Sequence, residues 1–169
     1  HLCDIRERIR YNGEMISKKA FFEAFIEIRS SLFAYRARLT EKKEYHPTFF
    51  ELLFFVGMIC FEKEAPEVII LETGLGGRLD ATNIIKNPVL CIITKIGYDH
   101  MEYLGDTLAK IATEKAGIIK PGIPVVYWKE KEEVSAVIEE KAKSLSSPCI
   151  SVSKEMVDLK LFGDKYIDF

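Results

Sequence analysis

The chain has 169 residues, 48% of them hydrophobic, with 24 Lys and Arg against 26 Asp and Glu for a formal net charge of −2. That length supports one full core, and near-balanced charge with no basic stripe among aromatics predicts no nucleic-acid partner. The longest apolar run, Phe49 to Phe61, is broken by Glu51 and Gly57; it falls short of the ~20 residues of a membrane span, so no membrane partner is expected. No secretory signal is present. The cysteines Cys3, Cys60, Cys91 and Cys149 are far apart, without a C-x-x-C pair. They read as small core residues in a reducing, cytoplasmic compartment rather than as a zinc site or a disulfide frame. The chain opens on His1 rather than methionine, which suggests processing, cutting or a start within a longer protein.

In chain order, Phe21, Phe25, Ile28, Leu32, Tyr35 and Leu39 recur at spacings of four and three, one face of an amphipathic helix with Ser17 as its N-cap. Lys42, Lys43 and Glu44 form a charged connector. Pro47 fits the first turn of a second helix, running to about Glu62. That helix is apolar nearly all round, which predicts deep burial. Glu51 inside it has two readings: a solvated carboxylate favoured by the helix macrodipole, or a site residue. Val68 to Leu71, Val89 to Thr94 and Val125 to Trp128 are short continuous apolar runs, the pattern of parallel strands covered on both faces. Helices are expected over Asp106 to about Ala116 and Lys131 to Lys143, a weaker strand around Cys149 to Val152, and a turn at Gly163-Asp164. The alternation predicts an α/β fold with a mostly parallel sheet flanked by helices.

Ligands of such sheets gather outside the carboxyl ends of the strands. Glu72 ends one predicted strand and His100 follows another. If those strands are neighbours, about 4.8 Å apart, a carboxylate and an imidazole converge, which suits Mg²⁺ or Mn²⁺ with a phosphate substrate. The bland reading makes His100 a loop histidine capping a turn. Gly74, Gly76 and Gly77 do not complete G-x-G-x-x-G, since Leu79 stands at the third glycine, and no Walker A sequence is present. The glycines would let the backbone turn sharply and approach a ligand, with Arg78 and Asp80 supplying paired charge. The alternative is a tight turn with Asp80 capping a short helix. Lys115 lies on the apolar stripe of Leu108, Ile111 and Ala112. It is either a snorkelling lysine near a helix C-terminus or an amine made chemically available by partial burial.

HLCDIRERIRYNGEMIS, HPTFFELL, ETGLGGRLDATN and ITKIGYDHMEYLGDTLAKIATEKAGIIKPG together resemble the folylpolyglutamate synthase/dihydrofolate synthase family of the Mur ligase superfamily, over roughly Leu2 to Val126. The resemblance implies a Mur ligase central domain with a P-loop NTPase-type core. It implies Glu72 and His100 as metal ligands of an Mg²⁺ (or Mn²⁺) ATP site, with Asp99 and Arg78 in support, and Lys115 as a carbamylated lysine. It also implies Thr48, Phe49, Phe50, Glu51, Leu79, Asp80 and Ala81 along the pterin or pteroate side of the substrate pocket. The implied reaction is ATP-dependent: a carboxylate of dihydropteroate or folate becomes an acyl phosphate, and the amine of L-glutamate displaces phosphate. The family's P-loop T-G-T-N-G-K-G-S, the serine of its S-P-H-L and its H-Q-x-x-N segment do not occur here. Residues 1–169 are therefore expected to be a single incomplete domain lacking its P-loop strand, inactive alone and prone to self-association through an exposed edge. A competing reading is a non-catalytic module that kept the fold. A nucleotide-binding oxidoreductase fragment fails on the glycine pattern.

Overall fold

The computed structural model describes residues 3–38, 46–156, 160–162 and 166–168. The expected connector Lys42–Glu44, the helix end at Leu39 and the turn at Gly163-Asp164 lie outside them. The chain divides between Glu72 and Thr73 into two compact units.

The first unit opens with a 3₁₀ turn, Ile5–Arg8, then a hairpin of β1 (Arg10–Tyr11) and β2 (Glu14–Met15). The connecting Asn12 and Gly13 both take positive φ, 50° and 82°, as a two-residue primed turn requires. Helix α1 (Lys18–Arg38) starts where the Ala20 N–H donates to Ser17 Oγ at 3.0 Å. Helix α2 (Phe49–Glu64) starts on a capping box: the Glu51 N–H donates to Thr48 Oγ1 at 3.2 Å, and the Thr48 N–H donates to Glu51 Oε2 at 2.7 Å. This reciprocal pair satisfies two otherwise orphaned donors. It puts Pro47 before the N-cap rather than in the first turn. Ile9, Ile16, Ala24, Ile28, Val56 and Cys60 form the unit's core. Helix α2 is not buried all round as expected: Leu53, Val56, Gly57 and Cys60 are buried and Leu52, Ile59 and Phe61 pack partly against the core, while Phe49 stays 56% exposed.

Val68 to Leu71 does not form the expected strand. A strand needs a neighbour to satisfy its backbone; this segment has no ladder partner among the described residues, and Ile70 is 89% exposed.

The second unit runs β3 (Cys91–Ile93), α3 (Met101–Leu104), α4 (Leu108–Ala116), β4 (Val125–Trp128), α5 (Glu132–Ser144) and β5 (Cys149–Val152). The three strands are parallel in the order β3-β4-β5, with Cys91 opposite Val125 and Val125 opposite Cys149. This is the expected α/β arrangement of parallel strands and helices. Helix α4 begins after Thr107, whose hydroxyl accepts from the Lys110 N–H, so Asp106 precedes the helix. Val125, Tyr127, Cys91 and Ile93 pack against Leu108, Ile111 and Ala112 of α4 and Val134 and Ile138 of α5. Alternation along the strands sends Ile92 and Ile150 to the opposite face, where they are 59% and 51% exposed. Within this unit, α4 and α5 thus cover one face of the sheet. Beyond a 3₁₀ turn (Lys154–Met156), β6 (Lys160–Phe162) and β7 (Tyr166–Asp168) pair antiparallel. No helix among the described residues is long and apolar enough to cross a membrane.

Candidate functional site

The predicted chemistry of the second unit gathers in the loop from Gly74 to Asn83 and at the end of α4. Asp80 caps a 3₁₀ turn, Ala81–Ile84. Its Oδ1 accepts from the Thr82 N–H at 3.0 Å and the Thr82 hydroxyl at 2.6 Å. Its Oδ2 accepts from the N–H groups of Gly74 and Leu75 at 2.8 and 3.0 Å. Those four donors occupy the roughly four lone-pair positions of a carboxylate. Asp80 therefore organises the loop, the turn-capping alternative. It does not pair with Arg78 as expected. Arg78 instead grips Glu114 on α4, with Nη2 3.0 Å from Oε1 and Nε 3.2 Å from both oxygens.

The glycines serve the same docking. Gly76 holds φ 67°, a conformation that costs a side-chain-bearing residue. A Cβ at Gly77 would lie 2.9 Å from the carbonyl oxygens of Glu114 and Lys115. One at Gly117 would lie 2.4 Å from Arg78 Cβ. The close backbone approach expected toward a ligand is made, in this structure, toward the C-terminal turn of α4. The Arg78 N–H donates at 2.9 Å to the Glu114 carbonyl, which also accepts from the Gly117 N–H at 3.3 Å. Asn83 Nδ2 donates to the carbonyls of Arg78, at 2.9 Å, and Gly117, at 3.2 Å. Lys120 Nζ donates to the Asn83 backbone oxygen at 3.0 Å and to Asn83 Oδ1 at 2.7 Å.

Lys115 occupies the last turn of α4, half-buried beside Leu108, Ile111, Ala112 and Ala116, which are fully buried. Its carbonyl accepts from the Gly117 N–H. His100 sits just before α3 in the left-handed region, φ 47° and ψ 40°, and its ring makes no capping bond. Asp99 Oδ1 accepts the His100 N–H at 2.8 Å, and Asp99 Oδ2 is 3.6 Å from His100 Nε2. A local carboxylate thus holds a non-glycine residue in a sparsely populated conformation, the kind of strain that collects at functional positions. Glu72, the last residue of the first unit, is exposed. Since Val68 to Leu71 joins no sheet, the adjacent-strand argument for pairing Glu72 with His100 has no ladder to rest on.

Among the described residues no group of three or more His, Cys, Asp or Glu could hold a metal ion by itself. Asp99 and His100 nonetheless offer an oxygen and a nitrogen donor side by side, with side chains 77% and 55% exposed. That donor set fits a Mg²⁺ or Mn²⁺ that takes its remaining ligands from water and phosphate oxygens. In the first unit, capping occupies the Thr48 hydroxyl and Glu51 carboxylate, leaving Phe49 as the most exposed apolar surface at that helix start.

Sequence reasoning missed Glu114, Asn83, Gly117 and Lys120. Asn83 closes the quoted ETGLGGRLDATN and the other three belong to EKAGIIK, so the motifs were visible while their mutual contact, 34 to 37 residues apart, was not.

No family model matches the chain. It is 44% identical over 142 residues to a folylpolyglutamate synthase of Arabidopsis thaliana, a match covering 84% of this chain and 24% of that protein. The apo form of FPGS from L. casei superposes with a TM-score of 0.85 at 32% identity, over 95% of this chain and 38% of that one. The chain belongs to the folylpolyglutamate synthase family. An FPGS-AMPPCP-folate complex of the same family gives a TM-score of 0.80 at 30% identity, over 92% of this chain and 39% of that one. This chain spans about a quarter of the length of the curated relatives it matches.

Proposed function

We propose that the full-length protein is an ATP-dependent ligase that joins L-glutamate to the carboxyl of dihydropteroate or of a folate. The substrate carboxylate oxygen attacks the γ-phosphorus of ATP and ADP leaves. The glutamate amine then attacks the acyl carbon, and inorganic phosphate departs. The observation that carries this reading is the docking of the ETGLGGRLDATN loop on the Lys115 helix end, in a chain 44% identical to a folylpolyglutamate synthase. The solved complex with AMPPCP and folate supports the two substrate classes.

In this reading His100, with Asp99 beside it, holds Mg²⁺ or Mn²⁺, Glu72 is a further ligand on the family resemblance alone, and Arg78 steadies the loop. When bound, the ion neutralises charge on the transferring phosphoryl group. Lys115 supplies an amine that takes up CO₂ as a carbamate, releasing a proton. Phe49 and Leu79, 56% and 80% exposed, offer apolar contact to the pterin. Phe50 follows Phe49 in α2 and Ala81 follows Asp80 in the loop, while Thr48, Glu51 and Asp80 shape the backbone of their own segments. The four free cysteines are consistent with a cytoplasmic setting.

The test is ATP-dependent incorporation of labelled L-glutamate by the full-length gene product, offered dihydropteroate and tetrahydrofolate separately. Incorporation with either acceptor, matched by phosphate release, is expected. ATP turnover that never yields a glutamyl amide on either would overturn the reading.

A further inference from the structure

We propose that Asn83 and Lys120 are positioning residues that latch the loop bearing Leu79 to Ala81 onto the helix end bearing Lys115, so that the two form one rigid piece. The inference rests on the ligase reading for what that piece does, while the latch itself is a set of contacts in the structure. Asn83 donates through one amide nitrogen to Arg78, the residue before Leu79, and to Gly117, two residues after Lys115. Its side-chain and backbone oxygens both accept from the single ammonium of Lys120. One side chain therefore touches both ends of the docked segment and is itself held by a cation, which also complements the C-terminal end of the α4 dipole.

Two latches close the loop, and they differ in depth. The outer one, Arg78 on Glu114, has its guanidinium side chain 55% exposed, a setting in which water and salt weaken an ion pair. The inner one is part-buried at the Asn83–Gly117 and Lys120–Asn83 contacts. Removing Asn83 leaves the Gly117 carbonyl short of a donor at a part-buried contact, while the Arg78 carbonyl, at an exposed contact, can turn to water. Gly77 and Gly117 permit the approach, with no room for a Cβ on either side. Asn83 and Lys120 fix its register. Catalysis by positioning is sensitive to displacements of about 1 Å, which can cost about 10²-fold in rate. A loosened latch should thus slow turnover more than it weakens substrate binding.

The experiment compares Asn83→Ala, Lys120→Met, Lys120→Arg and Lys115→Ala in the full-length protein. It measures kcat and KM for glutamate incorporation, and hydrogen exchange over residues 78–83 and 113–121. Asn83→Ala and Lys120→Met are expected to lower kcat by about 10- to 100-fold, with KM for ATP within about twofold. Exchange should rise in both segments together, and Lys120→Arg should restore most of kcat. Wild-type kcat in folded Asn83→Ala and Lys120→Met would overturn the proposal, as would exchange that rises in one segment only. If Lys115→Ala keeps full activity, the ligase role of Lys115 fails, and the paired exchange alone decides the latch. If Lys115→Ala is dead while Asn83→Ala retains wild-type kcat and exchange, the latch fails and the role of Lys115 stands.

Discussion

Replacing Gly117 by alanine adds one methyl group at a position whose backbone, φ −62° and ψ −12°, any residue can adopt. In an open site the change would stabilise by about 0.4–1 kcal/mol, because alanine has less freedom to lose on folding. Here the new Cβ would meet Arg78 Cβ at 2.4 Å and Arg78 Cα at 2.6 Å, against about 3.5–4.0 Å for carbon atoms at rest. The loop must therefore retreat by about 1 Å or more. Overpacking of this kind costs about 1–3 kcal/mol. The retreat also stretches the Arg78 N–H bond to the Glu114 carbonyl, now 2.9 Å, which contributes about 1 kcal/mol. The exposed ion pair adds little. The net expectation is a loss of about 2–3 kcal/mol. Trp128, the single tryptophan of the chain, lies on β4 in the same unit and reports its unfolding. With an m-value of about 1–3 kcal/mol per molar urea, the midpoint should fall by about 1 M or more at unchanged m. Gly97→Ala is the control, since nothing lies within 4 Å of its Cβ position. A Gly117→Ala midpoint equal to that of Gly97→Ala would refute the idea that the loop backbone is pressed against the helix end.

Two further outcomes follow from one hydrogen bond inside the second unit and one at a helix start in the first. Tyr127 is 1% exposed and donates to Glu139; burial first, then that carboxylate, pushes its ionisation up from 10.0 to about 12. Because the folded value is the higher, the stabilisation is complete below about pH 10 and fades as pH rises toward 12. Absorbance titration at 295 nm should show one late-ionising tyrosine, absent in Tyr127→Phe, and a tyrosinate spectrum complete by pH 11 would contradict it. Thr48→Ala removes the N-cap of α2 and should cost about 0.5–2 kcal/mol, read as a lower thermal midpoint. If stability is unchanged while affinity for a pteroate substrate collapses, Thr48 acts on the ligand and not as a cap.

Helices α1, α4 and α5 and strands β4 and β5 were legible in the sequence within a residue or two, because apolar spacing and a cap such as Ser17 act between near neighbours in the chain. The signals at Asn12-Gly13 and Thr48 to Glu51 are equally local: an Asn-Gly hairpin turn and a T-x-x-E capping box. Both are legible in the sequence, and the capping box adds a third role for Glu51 beside the solvated and functional ones. The strand expected at Val68 to Leu71 shows the limit of composition. Apolar β-branched residues report that a segment favours burial, whereas pairing depends on a neighbour that the segment itself does not contain.

The alternation of parallel strands and helices, the loop character of ETGLGGRLDATN and the family to which these motifs point are all legible in the residues alone. What the glycines approach, the pairing of Arg78 with Glu114 and not with Asp80, and the joining of the loop to the end of α4 by Asn83 and Lys120 emerge from the folded arrangement. The difference is one of range. Periodicity and capping are settled within a turn or two of backbone, but the partner of a side chain 34 to 37 residues away is chosen by how the strands and helices pack. Packing is a property of the folded chain as a whole.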